Sequence, residues 1–251
     1  MAASRGKRPI LPTRSSARSS VNDPQRRRRL LYGRRKGPRL SAHQLALRQT
    51  LLPKLTLQVE KNLAPRKYFD QPVDAVWLEV GYGGGEHLLW QAVNHPHVGL
   101  IGAAPYESGT AKLLSKLAAN PVSNIRLYED DARDIVEALP DASIARCFIL
   151  FPDPWPKTRH HKRRFIQIEA LDALARILKP GAELRFASDD ADYVAYALER
   201  LMAHPAFAWT AHGQSDWQTR PADWPATRYE TKQLHGPPAF LSFVRTARTA
   251  R

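Results

Sequence analysis

Five short apolar runs alternate with helical stretches between residues 76 and 203, and this alternation restricts the fold more than any other feature of the chain. The runs cover 76–80, 98–102, 125–128, 144–151 and 183–187. Helical stretches follow at about 86–93, 108–119, 133–139, 165–178 and 191–203. The fourth helix is closed by Lys179-Pro180-Gly181, a basic last turn and then helix breakers. This order predicts an α/β fold, a parallel sheet with helices on both faces. A strand near 207–211 and a last one at 240–245 flank a polar loop, 213–238, that carries Trp217, Trp224 and Tyr229. Ahead of the sheet, Ser41-x-x-Gln44 reads as a capping box opening a helix to about Leu52, and 65–72 is a connector.

In a parallel sheet the carboxyl ends of the strands share one edge, where open α/β sheets bind ligands. Glu79-x-Gly81-x-Gly83-x-Gly85 lies at the end of the first strand. Glycines let the backbone approach a ligand closely. A dinucleotide fingerprint needs Gly or Ala three residues after Gly83. Glu86 stands there, and its carboxylate opposes a pyrophosphate. The loop suits a cofactor without phosphates, such as S-adenosylmethionine, which is cationic at sulfur. Asp131, Asp153 and Asp189 follow later strands. Taken singly, Asp131 and Asp189 fit helix N-caps equally well; three such residues on one edge with Glu79 predict a site.

The fourth strand runs into residues 152–164, PDPWPKTRHHKRR. Three prolines fix the backbone of the loop and deny it a regular hydrogen-bond ladder. Asp153 can accept from the N–H groups of a base, and Trp155 can stack on one. Lys157, Arg159, Lys162, Arg163 and Arg164 suit a phosphate chain; a solvated helix start is the plainer reading of those cations. His160 and His161 are adjacent, point different ways, and read as surface or RNA contacts rather than metal ligands or a general base.

The net charge is +14 over 251 residues, and residues 1–40 hold thirteen Lys or Arg and one acid, Asp23. The basicity therefore belongs mostly to a tail at 1–40, expected to be disordered, on a nearly balanced domain at 41–251. A basic tail on a balanced body suggests a polyanionic partner, most often nucleic acid. A transit peptide is the alternative for the first twenty residues. Cys147 is the one cysteine, so no internal disulfide forms, and no Cys/His spacing fits zinc. No apolar run reaches the roughly 18 residues of a membrane span. A cytoplasmic monomer or homodimer without metal is expected.

Residues 152–164 resemble the signature of the bacterial tRNA (guanine-N7)-methyltransferases. Thr227-Arg228-Tyr229-Glu230, following Pro221-Ala222-Asp223-Trp224-Pro225, is similar to a second motif of that family. The glycine loop with Glu79, the Asp131-Ala132 pair and Ser188-Asp189 fall in its order and spacing; the likeness covers about 40–245. It implies a class I, Rossmann-like methyltransferase fold: a doubly wound, mostly parallel seven-stranded sheet with an antiparallel last strand. It also implies S-adenosylmethionine as cofactor, tRNA as partner, and methylation of N7 of guanine 46 in the variable loop. By the same likeness Glu79, Gly81, Gly83, Gly85, Asp131 and Asp153 belong to the cofactor site. Lys157, Asp189, Thr227, Arg228, Tyr229 and Glu230 belong to the substrate side. Arg159, His160, His161, Lys162, Arg163 and Arg164 contact RNA. One position departs: where the family carries an acid after the second strand, Ala104 stands here. A ribose hydroxyl loses there a charged hydrogen bond, about 1.5–3 kcal/mol, with Glu107 as a substitute from another direction.

Guanine N7 holds a free lone pair at neutral pH, so its methylation needs no general base. As the methyl arrives, the purine gains positive charge and its N1–H becomes a stronger donor. A carboxylate facing N1–H and the 2-amino group then favours the transition state over the ground state. Asp189 and Glu230 are the candidates, with Asp153 between cofactor and base. An RNA-binding protein of the same fold without catalysis, and a methyltransferase on another RNA, remain the alternatives.

Overall fold

The structure is a computed structural model and describes residues 31–33, 35–60, 64–232 and 234–247. Residues 1–30 of the expected tail lie outside the described residues; beyond them Tyr32 packs on Trp155 and the Arg35 carbonyl accepts from the Glu107 N–H at 2.9 Å, so that part is docked on the body and not the free tail expected to residue 40. The reciprocal cap expected at Ser41 is present. The Gln44 N–H donates to Ser41 Oγ at 3.2 Å and the Ser41 N–H to Gln44 Oε1 at 3.1 Å, opening α1 (Ala42–Thr50). A single turn, α2 (Leu52–Leu55), follows. The alternating body then runs β1 (Ala75–Val80), α3 (Glu86–Asn94), β2 (Val98–Ala103), α4 (Glu107–Ala119), β3 (Ile125–Tyr128), α5 (Ala132–Ala138) and β4 (Ile144–Leu150). It continues with α6 (Ile168–Ile177), β5 (Leu178–Ser188), α7 (Ala191–Ala203), β6 (Phe207–Trp209), α8 (Ser215–Gln218), α9 (Arg228–Lys232) and β7 (Ala239–Arg245).

The seven strands form one sheet in the order β3-β2-β1-β4-β5-β7-β6. The first five are parallel, and β7 runs antiparallel to both β5 and β6. The chain moves outward from β1 through β2 to β3 and then returns to β4 on the other side of β1. That reversal opens a crevice between the carboxyl ends of β1 and β4. Side chains alternate across the sheet with the strand period of two. Val76, Leu78 and Val80 pack into one core with Cys147, Ile149 and Phe186. Trp77 packs into the other with Phe148 and Leu150, beside Leu88 of α3 and Leu113 of α4. Glu79 shares the Trp77 face by parity, so its carboxylate projects toward α3.

Two boundaries differ from the sequence expectation. α6 begins at Ile168 rather than near 165, because Thr158–Arg163 forms 3₁₀ turns instead. Leu178 already pairs with Ile144, and the register then jumps to Arg146↔Glu183. Lys179-Pro180-Gly181 is thus a bulge within β5, with Gly181 at φ +82°, and not a loop after a helix. The short helices α8 and α9 lie in the stretch expected to be a polar loop.

Candidate active site

The expected cofactor side comprises Glu79 and three glycines. Gly81, Gly83 and Gly85 have φ of +82°, +51° and +75°, a region that costs side-chain-bearing residues about 1–2 kcal/mol. At Gly85 a side chain is excluded twice over, since a Cβ would stand 2.4 Å from Leu113 Cδ1. At Gly81 nothing lies within 4 Å of that position, so the bare backbone there faces open space. Glu79 is 3% exposed and accepts from His87 Nδ1 through Oε2 at 2.7 Å. A cleft of about 280 Å³, open to solvent, is lined by Glu79, Gly81, Tyr82, Gly83, Glu86, His87, Leu150, Phe151, Thr227 and Tyr229. The expected glycine loop and part of the expected substrate segment therefore share one cleft. The Tyr229 ring covers the loop, with Cε2 at 3.1 Å from where a Gly83 Cβ would stand.

Asp131 and Ala104 lie at neighbouring strand ends. Asp131 is the N-cap of α5, accepting from the Arg133 N–H at 3.0 Å, and its carboxylate also takes the Arg133 guanidinium. Ala104 is buried, and its N–H donates to the Tyr128 carbonyl at 3.0 Å. Glu107, three residues on, stands 3.6 Å from Arg48.

The proline loop is held under backbone strain. Phe151 and Trp155 take φ of +50° and +48°, where a bulky residue is an outlier. The Phe151 N–H donates to the Ala187 carbonyl at 2.7 Å, and Arg164 Nε to the Pro154 carbonyl at 2.8 Å. The Trp155 ring meets Tyr32 and His160 edge-on, and the Arg163 guanidinium lies over both Trp155 and Tyr32. Asp153 is exposed at the centre of this loop, and a Cβ on Gly33 would stand 3.2 Å from its Oδ2.

In 3₁₀ turns residues three apart share a face. Arg159 and Lys162 accordingly project together into solvent, while His160 and Arg163 turn toward Trp155. Lys157 is exposed beside them. Arg164 corrects the sequence expectation of an RNA contact. Its side chain is wholly buried, paired with Asp192 and stacked on Tyr193 and Tyr196. It braces the loop from inside. His161 also turns inward, against Tyr196 and 3.4 Å from Asp192.

On the side expected to meet the guanine, Asp190 and not Asp189 caps α7, accepting from the Tyr193 N–H at 2.8 Å. Asp189 closes β5 next to β4 and accepts from the His235 N–H at 3.2 Å. Thr227 and Glu230 form a second reciprocal cap, opening α9: the Glu230 N–H donates to Thr227 Oγ1 at 3.2 Å and the Thr227 N–H to Glu230 Oε2 at 3.4 Å. Thr227-x-x-Glu230 is the same pattern as Ser41-x-x-Gln44, so its structural share was visible in the sequence. Burial raises the Glu230 pKa above the ordinary glutamate value, against the opposing Arg220 guanidinium 3.6 Å away. Burial, then the neighbouring Tyr106 and Asp153, raise the Tyr229 phenol. Asp189 and Glu230 lie outside the lining of the cleft.

Sequence reasoning missed His87, Gln91 and the ion cage around Asp223. His87 and Gln91 are one helical turn apart on the buried face of α3, a spacing that marks them as neighbours. The Asp223 carboxylate accepts from Arg185 at 2.6 Å and from Arg146 at 3.3 Å, which pins the loop before α9 to β4 and β5. Among the described residues no group of three His, Cys, Asp or Glu could hold a metal ion, and no helix is long and apolar enough to cross a membrane.

A family model described as "Putative methyltransferase" matches residues 73–237. The chain is 52% identical over 226 residues to a tRNA (guanine-N(7)-)-methyltransferase of Rhodospirillum rubrum, covering 87% of this chain and 89% of that one. Proteins of the same name from Paramagnetospirillum magneticum and Brucella anthropi are 49% and 48% identical. They cover 86% and 85% of this chain and 93% and 94% of their own lengths. The matched region holds the glycine loop, the proline loop and the Thr227–Glu230 cap, and the sheet has the seven strands and antiparallel last strand expected. On these grounds the chain belongs to the tRNA (guanine-N7)-methyltransferase family.

Proposed function

We propose that this chain transfers the methyl group of S-adenosylmethionine to N7 of guanine 46 in the variable loop of tRNA. The observation that carries the reading is the shared cleft: Glu79 and the glycine backbone line it together with Thr227 and Tyr229. Its lining includes two carboxylates, Glu79 and Glu86, and no Lys or Arg, although Glu86 is paired with Lys116 at 2.5 Å. The Glu79 acceptor suits a cationic ligand and opposes a pyrophosphate. No described residue donates to Glu79 Oε1, which leaves that oxygen for the cofactor's ammonium group. When bound, S-adenosylmethionine supplies a methyl on a sulfonium that a nitrogen lone pair can take directly.

The chain's own groups supply orientation and charge. Asp189 and Glu230 accept from guanine N1–H and the 2-amino group, and their hold strengthens as charge enters the purine. Asp153, on the loop between β4 and α6, stands between base and cofactor. Lys157, Arg159 and Lys162 grip phosphates beside it and fix the register of the RNA. The rest of the rate comes from alignment. Asp131, which caps α5, belongs to the cofactor side by the family likeness, and Ala104 leaves the ribose without a carboxylate there. The Ala104 position also favours a second reading, an RNA binder of this fold with weakened catalysis.

The test is to incubate the protein with methyl-labelled cofactor and total tRNA and map the modified base. The expected product is 7-methylguanosine at position 46. Label at another position, or none in tRNA, overturns the reading.

A further inference from the structure

Glu79 is held by a buried chain of polar groups for which the proposed methyl transfer has no use. His87 is 2% exposed. Its Nδ1 lies 2.7 Å from Glu79 Oε2, and its Nε2 lies 3.1 Å from Gln91 Nε2. The same Gln91 nitrogen donates to the Asp223 carbonyl at 2.8 Å. That carbonyl only accepts, so the Gln91 amide must present its nitrogen on this side. An amide nitrogen cannot accept, so His87 Nε2 takes a hydrogen from it and His87 Nδ1 carries the ring proton. The polarity of the chain is thereby fixed, with its last hydrogen aimed at Glu79. The imidazole cannot swing away: Phe148 meets it edge-on at 4.5 Å and Trp224 at 5.6 Å. Trp224 follows Asp223, whose carboxylate is clamped by Arg185 and Arg146. Three residues after Trp224 the Thr227 cap of α9 begins.

We propose that His87 is a positioning residue that orients the Glu79 carboxylate for the cofactor, and that Gln91 ties the loop leading to Thr227 and Glu230 into the same chain. The two sides of the cleft then share one internal support. The assignment rests on Glu79 as the cofactor's carboxylate.

The test is calorimetric titration with S-adenosylmethionine of the full chain and its variants, with melting curves on each. His87→Leu is expected to weaken binding roughly tenfold, the scale of one lost hydrogen bond to a charged group. His87→Asn, whose amide N–H can take the place of Nδ1–H, should recover most of that loss. In a Glu79→Ala background His87→Leu should have no further effect, since His87 acts through Glu79. If His87→Leu does not fold, His87→Phe fills the same space between the two rings and serves instead. Wild-type affinity in the apolar variant, or losses that simply add in the double variant, overturns the proposal. If Glu79→Ala itself binds like wild type, the cofactor site has been misplaced, which is a separate failure. Gln91→Leu should weaken cofactor binding less than His87→Leu does and raise KM for tRNA several-fold; an unchanged KM overturns the link to the loop.

Discussion

Glu79 and Asp189 are both carboxylates at strand ends on one sheet edge, yet they are built in differently. Glu79 is buried, bonded to His87, and backed by glycines at positive φ, of which Gly85 lies against Leu113 of α4. Asp189 is partly exposed and accepts from one loop N–H, and α9 beside it has five residues, none of them buried. A small cofactor can be met by a surface that is already formed, because it brings few contacts of its own. A folded RNA brings many, so the base side can be completed on its arrival. The contrast assigns preorganisation to the cofactor half and adjustability to the guanine half.

The largest effect is expected where the guanine half touches the reacting base. Asp189→Asn and Glu230→Gln keep shape but lose charge and acceptor strength. Each should lower single-turnover methylation about 10²–10³-fold, the scale of one lost transition-state partner. Rates near wild type would remove the base-holding role.

Arg164 and Arg163 sharpen the comparison within one loop. Arg164→Ala should lower stability by about 2–3 kcal/mol, through lost packing on two tyrosines and an unpaired Pro154 carbonyl. The 3–5 kcal/mol of a fully buried broken pair is not expected, because Asp192 is 65% exposed. Arg163→Ala should cost about 1 kcal/mol or less and act instead on tRNA affinity. Thermal melts and tRNA titrations distinguish them, and equal destabilisation by both would contradict the assignment.

The pH profile separates the halves more finely. Glu230 must be ionised to accept from guanine, and burial raises its pKa. As pH falls through that raised pKa, the carboxylate takes up a proton and kcat/KM falls. The acid limb should therefore lie above the ordinary glutamate value and vanish in Glu230→Gln. A profile flat through that range in the wild type argues against ionised Glu230 as a base contact.

The smallest effect concerns residues 1–30, whose nine Lys or Arg and one acid carry +8 of the +14 net charge. If they neutralise roughly four phosphates, their deletion should flatten the salt dependence of tRNA binding by about 3–4 log units per log unit of salt. The methylated position should not move. An unchanged slope would favour a targeting role.

The sheet and the glycine loop were legible in the sequence because both rest on local rules. Strand period, helix period and the need for positive φ at a strand–helix turn act over a few residues. The proline loop was legible as a rigid element, but not which of its cations face out. That depends on the 3₁₀ turns, which send Arg159 and Lys162 outward, lay Arg163 over Trp155 and Tyr32, and leave Arg164 buried. The His87–Gln91–Asp223 chain joins residues 132 positions apart. Local spacing places the first two on one face of α3, but only the tertiary fold brings Asp223 to them. Thr227-x-x-Glu230 shows the converse: a motif singled out for chemistry also does ordinary capping work.

The central claim is that the cofactor half of the cleft is formed without RNA and does not need the Asp189 charge. Calorimetric titration of S-adenosylmethionine into wild type, Asp189→Asn and Glu79→Ala, with no tRNA present, tests it most directly. The account predicts superimposable isotherms for wild type and Asp189→Asn. Glu79→Ala should be weaker by about 1.5–3 kcal/mol, the worth of a charged hydrogen bond. Loss of binding in Asp189→Asn, or no binding by wild type at millimolar cofactor, would contradict it.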